Sequence, residues 1–312
     1  VIVCVAANPS IDKLFEVERL VPGSIHRPVA FVQTAGGKGL NVARAAHALR
    51  ADVRATGILR GGAGRWIEHA LREEGIAGSF VWTDGETRSS LSVASREGGD
   101  LTEFYEHGEV VSASAWDGLL EALSGLAQPG GWLTISGSLP PGAPDDGYEV
   151  LVRRARTAGM RVALDAEGER LRRALAAGPD VVKVNAAEVG DLLAAPTGTG
   201  DEALAAAARI REMAGGRGHA GVVTRGADGA VVVGPDGTRY EGALYERGRY
   251  PVGSGDAFLA GLVVALDRGW DWEAALRLAL GTATANAEVP GAGTLDPERA
   301  AELAARAQVR RV

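Results

Sequence analysis

From about residue 116 onward the chain alternates short apolar runs with helix-like segments. The runs fall at 132–135, 162–164, 181–184 and 222–224. The helix-like segments cover 116–126, 145–158, 201–213, 256–268 and 272–286. Strands joined by helical crossovers lie parallel, and runs that are apolar at nearly every position belong to strands buried on both faces. The pattern therefore predicts a mostly parallel sheet with helices on both sides. Residues 1–6, apolar throughout, read as one more buried strand.

Two stretches, at about 10–34 and 82–110, break this alternation. Residues 90–95 and 101–105 alternate like half-exposed strands, and Glu97-Gly98-Gly99-Asp100 between them is a hairpin turn. Residues 14–34 carry few helix signals and alternate β-branched positions. The two stretches are expected to pair into a small separate sheet. There is no internal repeat or low-complexity linker, and the length allows two domains or one large α/β domain, 1–312, with the two insertions as an appendage.

Composition narrows the class. The chain has 312 residues, 46% of them hydrophobic and 23% charged, as in a globular protein able to bury a core without staples. A net charge of −7 speaks against a nucleic-acid surface. No apolar run approaches the roughly 20 residues of a membrane helix. Cys4 is the lone cysteine, which excludes an intrachain disulfide and a multi-cysteine zinc site and points to a reducing cytoplasm. The first six residues have no basic leader, so no signal peptide is expected. The 44 glycines are in excess, as loop filler or as backbone sites for phosphate.

Four segments carry possible chemistry. In Pro251-Val252-Gly253-Ser254-Gly255-Asp256 a glycine turn opens directly into an apolar helix. Unpaired N–H groups and the positive end of a helix dipole attract anions there. A carboxylate at that place suits a general base, although Ser254 or Asp256 could equally be a plain N-cap. Gly36-Gly37-Lys38-Gly39-Leu40-Asn41 is not a Walker A loop, since no Ser or Thr follows the lysine. It could hold a polyhydroxylated or phosphorylated ligand, or be a turn with a solvated lysine. Lys183, Asn185 and Glu188 follow an apolar run, where they could meet phosphate and Mg²⁺, and Glu188 could instead be ordinary first-turn polarity. Thr224-Arg225-Gly226-Ala227-Asp228-Gly229 could accept a nucleotide or be a plain hairpin turn. Arg88 could grip a phosphate as a fork or sit in water. The five histidines show no metal spacing, and Ser136-Gly137-Ser138 lacks the spacing of a nucleophile elbow.

Taken together and in order, these segments, with Asn8-Pro9-Ser10-Ile11-Asp12 and Ser136-Gly137-Ser138-Leu139-Pro140, resemble the ribokinase-like carbohydrate kinases of the phosphofructokinase B family. The resemblance spans essentially the whole chain. It is strongest to the tagatose-6-phosphate kinase and 1-phosphofructokinase branch, through residues 34–41, Gly85-Glu86-Thr87-Arg88 and 251–256. It implies an α/β three-layer sandwich with a small β lid, and phosphoryl transfer from MgATP to a primary hydroxyl of a ketohexose phosphate. Asp256 would be the base, with Gly253, Ser254 and Gly255 supplying the anion hole. An ordinary aspartate is already ionised at pH 7. Asp12, Gly36, Gly37 and Asn41 would hold the sugar, and Lys38, Arg88 and Ser138 its resident phosphate. Lys183, Asn185, Thr224, Gly226 and Gly229 would bind ATP, and Glu188 would hold Mg²⁺ through water. A homodimer through the lid is expected, with no nucleic-acid or membrane partner. Glu167, Val184 and Arg225 depart from the usual pattern, and Arg225 is a candidate to compensate the charge of Glu167. Two other readings stand beside this one: a kinase of an unphosphorylated sugar or nucleoside, in which Lys38 and Arg88 are solvent or lid residues, and a non-catalytic binding relative.

Overall fold

The computed structural model describes residues 1–312. Its N-terminal half contains β1 (Ile2–Ala6), β2 (Ser10–Val17), β3 (Ala30–Gly36), α1 (Lys38–Ala48), β4 (Val53–Arg60), α2 (Gly61–Glu73) and β5 (Ala77–Thr83). There follow β6 (Ser89–Ser95), β7 (Leu101–Tyr105), α3 (Ala113–Leu126), β8 (Trp132–Ser136), α4 (Gly147–Thr157), β9 (Arg161–Asp165) and α5 (Gly168–Leu175). Next come β10 (Val181–Asn185), α6 (Ala186–Leu193), α7 (Gly200–Met213), β11 (Ala220–Thr224), β12 (Ala230–Val233) and β13 (Arg239–Ala243). The chain closes with α8 (Ser254–Asp267), α9 (Trp272–Glu288), α10 (Pro297–Arg306) and β14 (Gln308–Arg311).

Ten strands form one sheet in the order β14-β13-β12-β11-β10-β9-β8-β1-β4-β5. Pairing is parallel from β11 to β5 and antiparallel from β11 to β14. Successive strand residues point to opposite faces, and this splits the core in two. Ile2, Cys4 and Ala6 of β1 join the cluster that includes residues of α1, α8 and α9, while Val3 and Val5 join the cluster of α3, α4 and α7. The antiparallel edge begins with the β11–β12 hairpin and ends on β14, a short polar strand that pairs with a strand some 70 residues away.

The two irregular stretches do pair with each other. They give a four-stranded sheet in the order β3-β2-β6-β7, with β2 and β6 parallel and Ser90 opposite Tyr105 in the β6–β7 hairpin. Trp82 and Thr83 belong to β5 of the large sheet rather than to this insertion.

Candidate active site

The C-terminal ends of the central strands bring polar residues into one row. Ser136 of β8 is in register with Asp165 of β9, and Val182 of β10 with Leu164 of β9, so Lys183 lies beside Asp165. Ala163 and Val181 face the α8 side of the sheet, and the period of two turns Asp165 and Lys183 the same way. Lys183 Nζ donates to Asp165 Oδ2 over 2.7 Å, with both side chains buried. Lys183 is thus neutralised by a carboxylate directly beneath the start of α8. Its Nζ lies 3.1 Å from the point a Cβ on Gly255 would occupy. Asp165 Oδ1 and Ser136 Oγ remain buried without a hydrogen-bond partner.

Helix α8 begins with Gly253 at the N-cap, in the left-handed conformation at φ 79° that favours glycine. No side chain caps the helix, and Ser254 and Asp256 lie inside its first turn. The reading of either as an N-cap is therefore set aside. Asp256 is only 5% exposed, and Asn41 Nδ2 donates to its Oδ2 over 2.9 Å. Burial, reinforced by the negative charge of Asp165, pushes the Asp256 carboxyl up to about 7, against the opposing pull of Lys38, Asn41 and Lys183. The expectation of an aspartate fully ionised at pH 7 does not hold, because the carboxylate has lost its water.

Lys38 opens α1, whose N-cap is Gly37. The charges of Asp165 first, then of Asp256, Glu188 and Glu167, raise its pKa above the ordinary lysine value although burial opposes them. Its Nζ is 4.0 Å from Glu188 Oε1. The lysine assigned from sequence to the resident phosphate thus stands in the field of Asp256 and its acidic neighbours.

Asp12 accepts hydrogen bonds from Ser10 Oγ (2.5 Å) and the Gly37 N–H (3.3 Å), and burial raises its carboxyl pKa. A Cβ on Gly36 would lie 2.0 Å from Asp12 Cγ, so only glycine leaves room for that carboxylate. Arg88 donates to the Asn8 and Glu106 carbonyls and to Ser90 Oγ, and burial lowers its pKa. Asn8 Nδ2 donates to Ser138 Oγ at 3.2 Å.

Asp12, Gly37, Lys38, Asn41, Arg88, Ser138, Gly253 and Asp256 line one cavity of about 1030 Å³ between the lid sheet and the strand ends. Gly36, Ser254 and Gly255 are not on its wall. Nor are Lys183, Asn185, Glu188, Thr224, Gly226 and Gly229. Asn185 and Thr224 instead end adjacent strands in register. Asn185 and Glu188 form a reciprocal capping box on α6, with both hydrogen bonds at 2.8 Å, so ordinary first-turn chemistry accounts for one oxygen of each side chain. Thr224 Oγ1 donates to the Val184 carbonyl at 3.4 Å. Residues 225–229 link antiparallel β11 and β12, as a hairpin turn does. Arg225 pairs with Glu241 at 3.8 Å and donates to the Gly198 carbonyl. It therefore has its own acid and is not the counter-charge of Glu167, which lies on the cavity wall.

Sequence reading gave no role to Asp165 or Tyr148. The only signal for Asp165 was its place at the end of an apolar run. Tyr148, on α4, donates its hydroxyl proton to the Gly137 carbonyl and lines the cavity.

A family model described as pfkB family carbohydrate kinase matches residues 3–299. The 1-phosphofructokinase of Haloferax volcanii is 36% identical over 299 residues, covering 95% of this chain and 93% of that protein. The 1-phosphofructokinase of Xanthomonas campestris is 33% identical over 308 residues, covering 97% and 96%. Among solved structures, the phosphofructokinase-2 of Escherichia coli in complex with fructose-6-phosphate superposes with a TM-score of 0.88 at 25% identity, covering 98% of each chain.

Proposed function

The chain belongs to the pfkB family of carbohydrate kinases, and on that premise we propose how its site phosphorylates a ketohexose phosphate at a primary hydroxyl with ATP as donor. The observation that carries the reading is the buried Asp256, held by Asn41 at the positive end of α8 within a cavity that also contains Arg88. The enzyme is a phosphotransferase acting on an alcohol. Fructose 1-phosphate is the acceptor we propose, because the 33–36% identical relatives are 1-phosphofructokinases.

Asp256 takes the proton from the sugar hydroxyl as that oxygen attacks the terminal phosphorus of ATP, whose bond to the bridging oxygen breaks so that ADP leaves. A base with a pKa near the working pH matches this task better than an ordinary aspartate. The N–H groups of Gly255 and Asp256 are the free donors for the charge that develops on the transferred group, whereas that of Ser254 is spent on the Pro251 carbonyl. Lys38, assigned here to the phosphoryl group in transit, adds a mobile positive charge on the same side. Asn41 does two things: its amide N–H orients Asp256, and its buried Oδ1, without a partner, is free to accept from a sugar hydroxyl. Asp12 accepts from a second hydroxyl, and Arg88 with Ser138 meets the resident phosphate. Asn185, Thr224, Gly226 and Gly229 provide the nucleotide groove at the ends of β10 and β11. Lys183 supports it from below while holding Asp165.

The donor set fits Mg²⁺. Asp165 Oδ1 is a buried carboxylate oxygen without a partner, Glu188 keeps one oxygen outside its capping box, and hard oxygen donors suit a hard cation. Bound there through Glu188 and Asp165, it would neutralise donor phosphate charge. The lid exposes Phe31 and Phe104 on the face turned away from the cavity, and we assign the homodimer contact to this face. No helix is long and apolar enough to cross a membrane, and dependence on ATP fits a cytoplasmic setting.

An ATP-consumption screen tests the function. Turnover should be fastest with fructose 1-phosphate, slower with tagatose 6-phosphate and fructose 6-phosphate, and weak with the free sugars. Excess EDTA should abolish it. Equal turnover of phosphorylated and free sugars would favour the unphosphorylated-sugar reading.

A further inference from the structure

The α5 wall of the cavity has no role in the chemistry above. This helix follows Asp165, and Glu167, Arg170 and Arg173 line the same cavity as Lys38, Arg88 and Asp256. Residues three apart share a helix face, so these three stand in a row. The ion pairs of α5 join Arg172 (3.4 Å) and Arg173 (3.7 Å) to Glu169 and leave Arg170 out. Arg170 is half-buried and has no hydrogen-bond partner in the chain, although Glu167 is one turn away. Its charge reaches Tyr148, which lines the same cavity. Burial holds the Tyr148 hydroxyl above its ordinary pKa, and Arg170 and Lys38 both pull it back down. Arg88, in contrast, already uses most of its N–H groups on Asn8, Ser90 and Glu106. A doubly charged phosphate in this cavity needs a further fork donor. Guanidinium is the side chain best matched to phosphate oxygens and is only weakly hydrated.

We propose that Arg170 is a phosphate-binding residue of the reaction, donating from α5 to the oxygens of a phosphoryl group held in the cavity. This rests on the kinase reading. Two phosphates could supply those oxygens, the terminal phosphate of the donor and the resident phosphate of the sugar, and kinetics separate them. Initial rates of wild type, Arg170→Ala and Arg170→Lys are measured with ATP and fructose 1-phosphate, and with fructose as acceptor. Loss of one charge-assisted hydrogen bond predicts a drop of about ten- to a hundredfold in kcat/KM, partly restored by lysine. A raised KM for ATP assigns Arg170 to the donor. A raised KM for fructose 1-phosphate, with fructose unaffected, assigns it to the resident phosphate. The Tm should not change, since Arg170 holds nothing within the chain. Calorimetric titration with ATP and with fructose 1-phosphate requires no turnover. Affinities and rates of Arg170→Ala within twofold of wild type would overturn the proposal, as would a loss that lysine does not restore and that tracks a lowered Tm. A wild type that binds these ligands but phosphorylates no sugar phosphate would defeat the kinase reading instead.

Discussion

The amide of Asn41 donates a 2.9 Å hydrogen bond to the carboxylate of Asp256, a residue 215 positions further along the chain. The bond ties Asp256, in the first turn of α8, to α1, the helix that begins at Lys38. It also explains why Asp256 keeps some anionic character in a buried place: one hydrogen bond and two lysines oppose the loss of water.

Activity should depend on pH around neutrality. With the Asp256 carboxyl at about 7, log kcat/KM for the sugar phosphate rises with unit slope below that value and levels above it. A profile already flat at pH 5 would remove Asp256 as the base. Asp256→Asn should lower kcat by about 10²- to 10⁴-fold while ATP still binds.

The same shift sets a stability sign. Between the unfolded value of 3.8 and the folded value of about 7, the native state binds the extra proton. Stability contributed by this group is thus present at low pH and declines as pH rises through 7. Asp256→Asn should accordingly raise Tm more at pH 8 than at pH 5, which differential scanning calorimetry reads directly.

Lys183 and Asp165 form a buried pair, and breaking it from one side strands a charge. Lys183→Met should cost about 3–5 kcal/mol in denaturant unfolding. The double variant Lys183→Met with Asp165→Asn should recover most of that stability but not activity. Equal instability of single and double variants would show that the pair is not the source.

Lys38 and Arg88 line one cavity, and we propose that they meet different phosphates. Lys38→Ala should reduce kcat by about 10²- to 10³-fold with little change in KM for the sugar phosphate. Arg88→Ala should raise that KM and leave the free sugar unaffected. A matching pattern from both variants would return Lys38 to the resident phosphate.

Gly36→Ala tests the seat of Asp12. A methyl group there collides with the Asp12 carboxylate. The KM for the sugar should rise at least about tenfold, as expected when a charge-assisted hydrogen bond is lost, while the KM for ATP stays within twofold.

Local pattern alone determined much of this protein. Apolar runs alternating with helical segments specified a parallel sheet with two helical layers, because strand and helix periods are properties of near neighbours. The helix starts just after Gly37 and Gly253 were legible for the same reason, and the two irregular insertions stood out because they broke the alternation. The charge state of the site was not. Lys183 read as a free phosphate cation until the register of β9 and β10 set Asp165 against it. Arg225 read as a partner for Glu167 until β13 supplied Glu241. Asp256 read as an ordinary aspartate until α1, α8 and the strand ends closed around it. Each of these depends on burial and on contacts between residues distant in sequence, and loss of water together with opposing charge only acquires a value once the tertiary structure has brought those residues together.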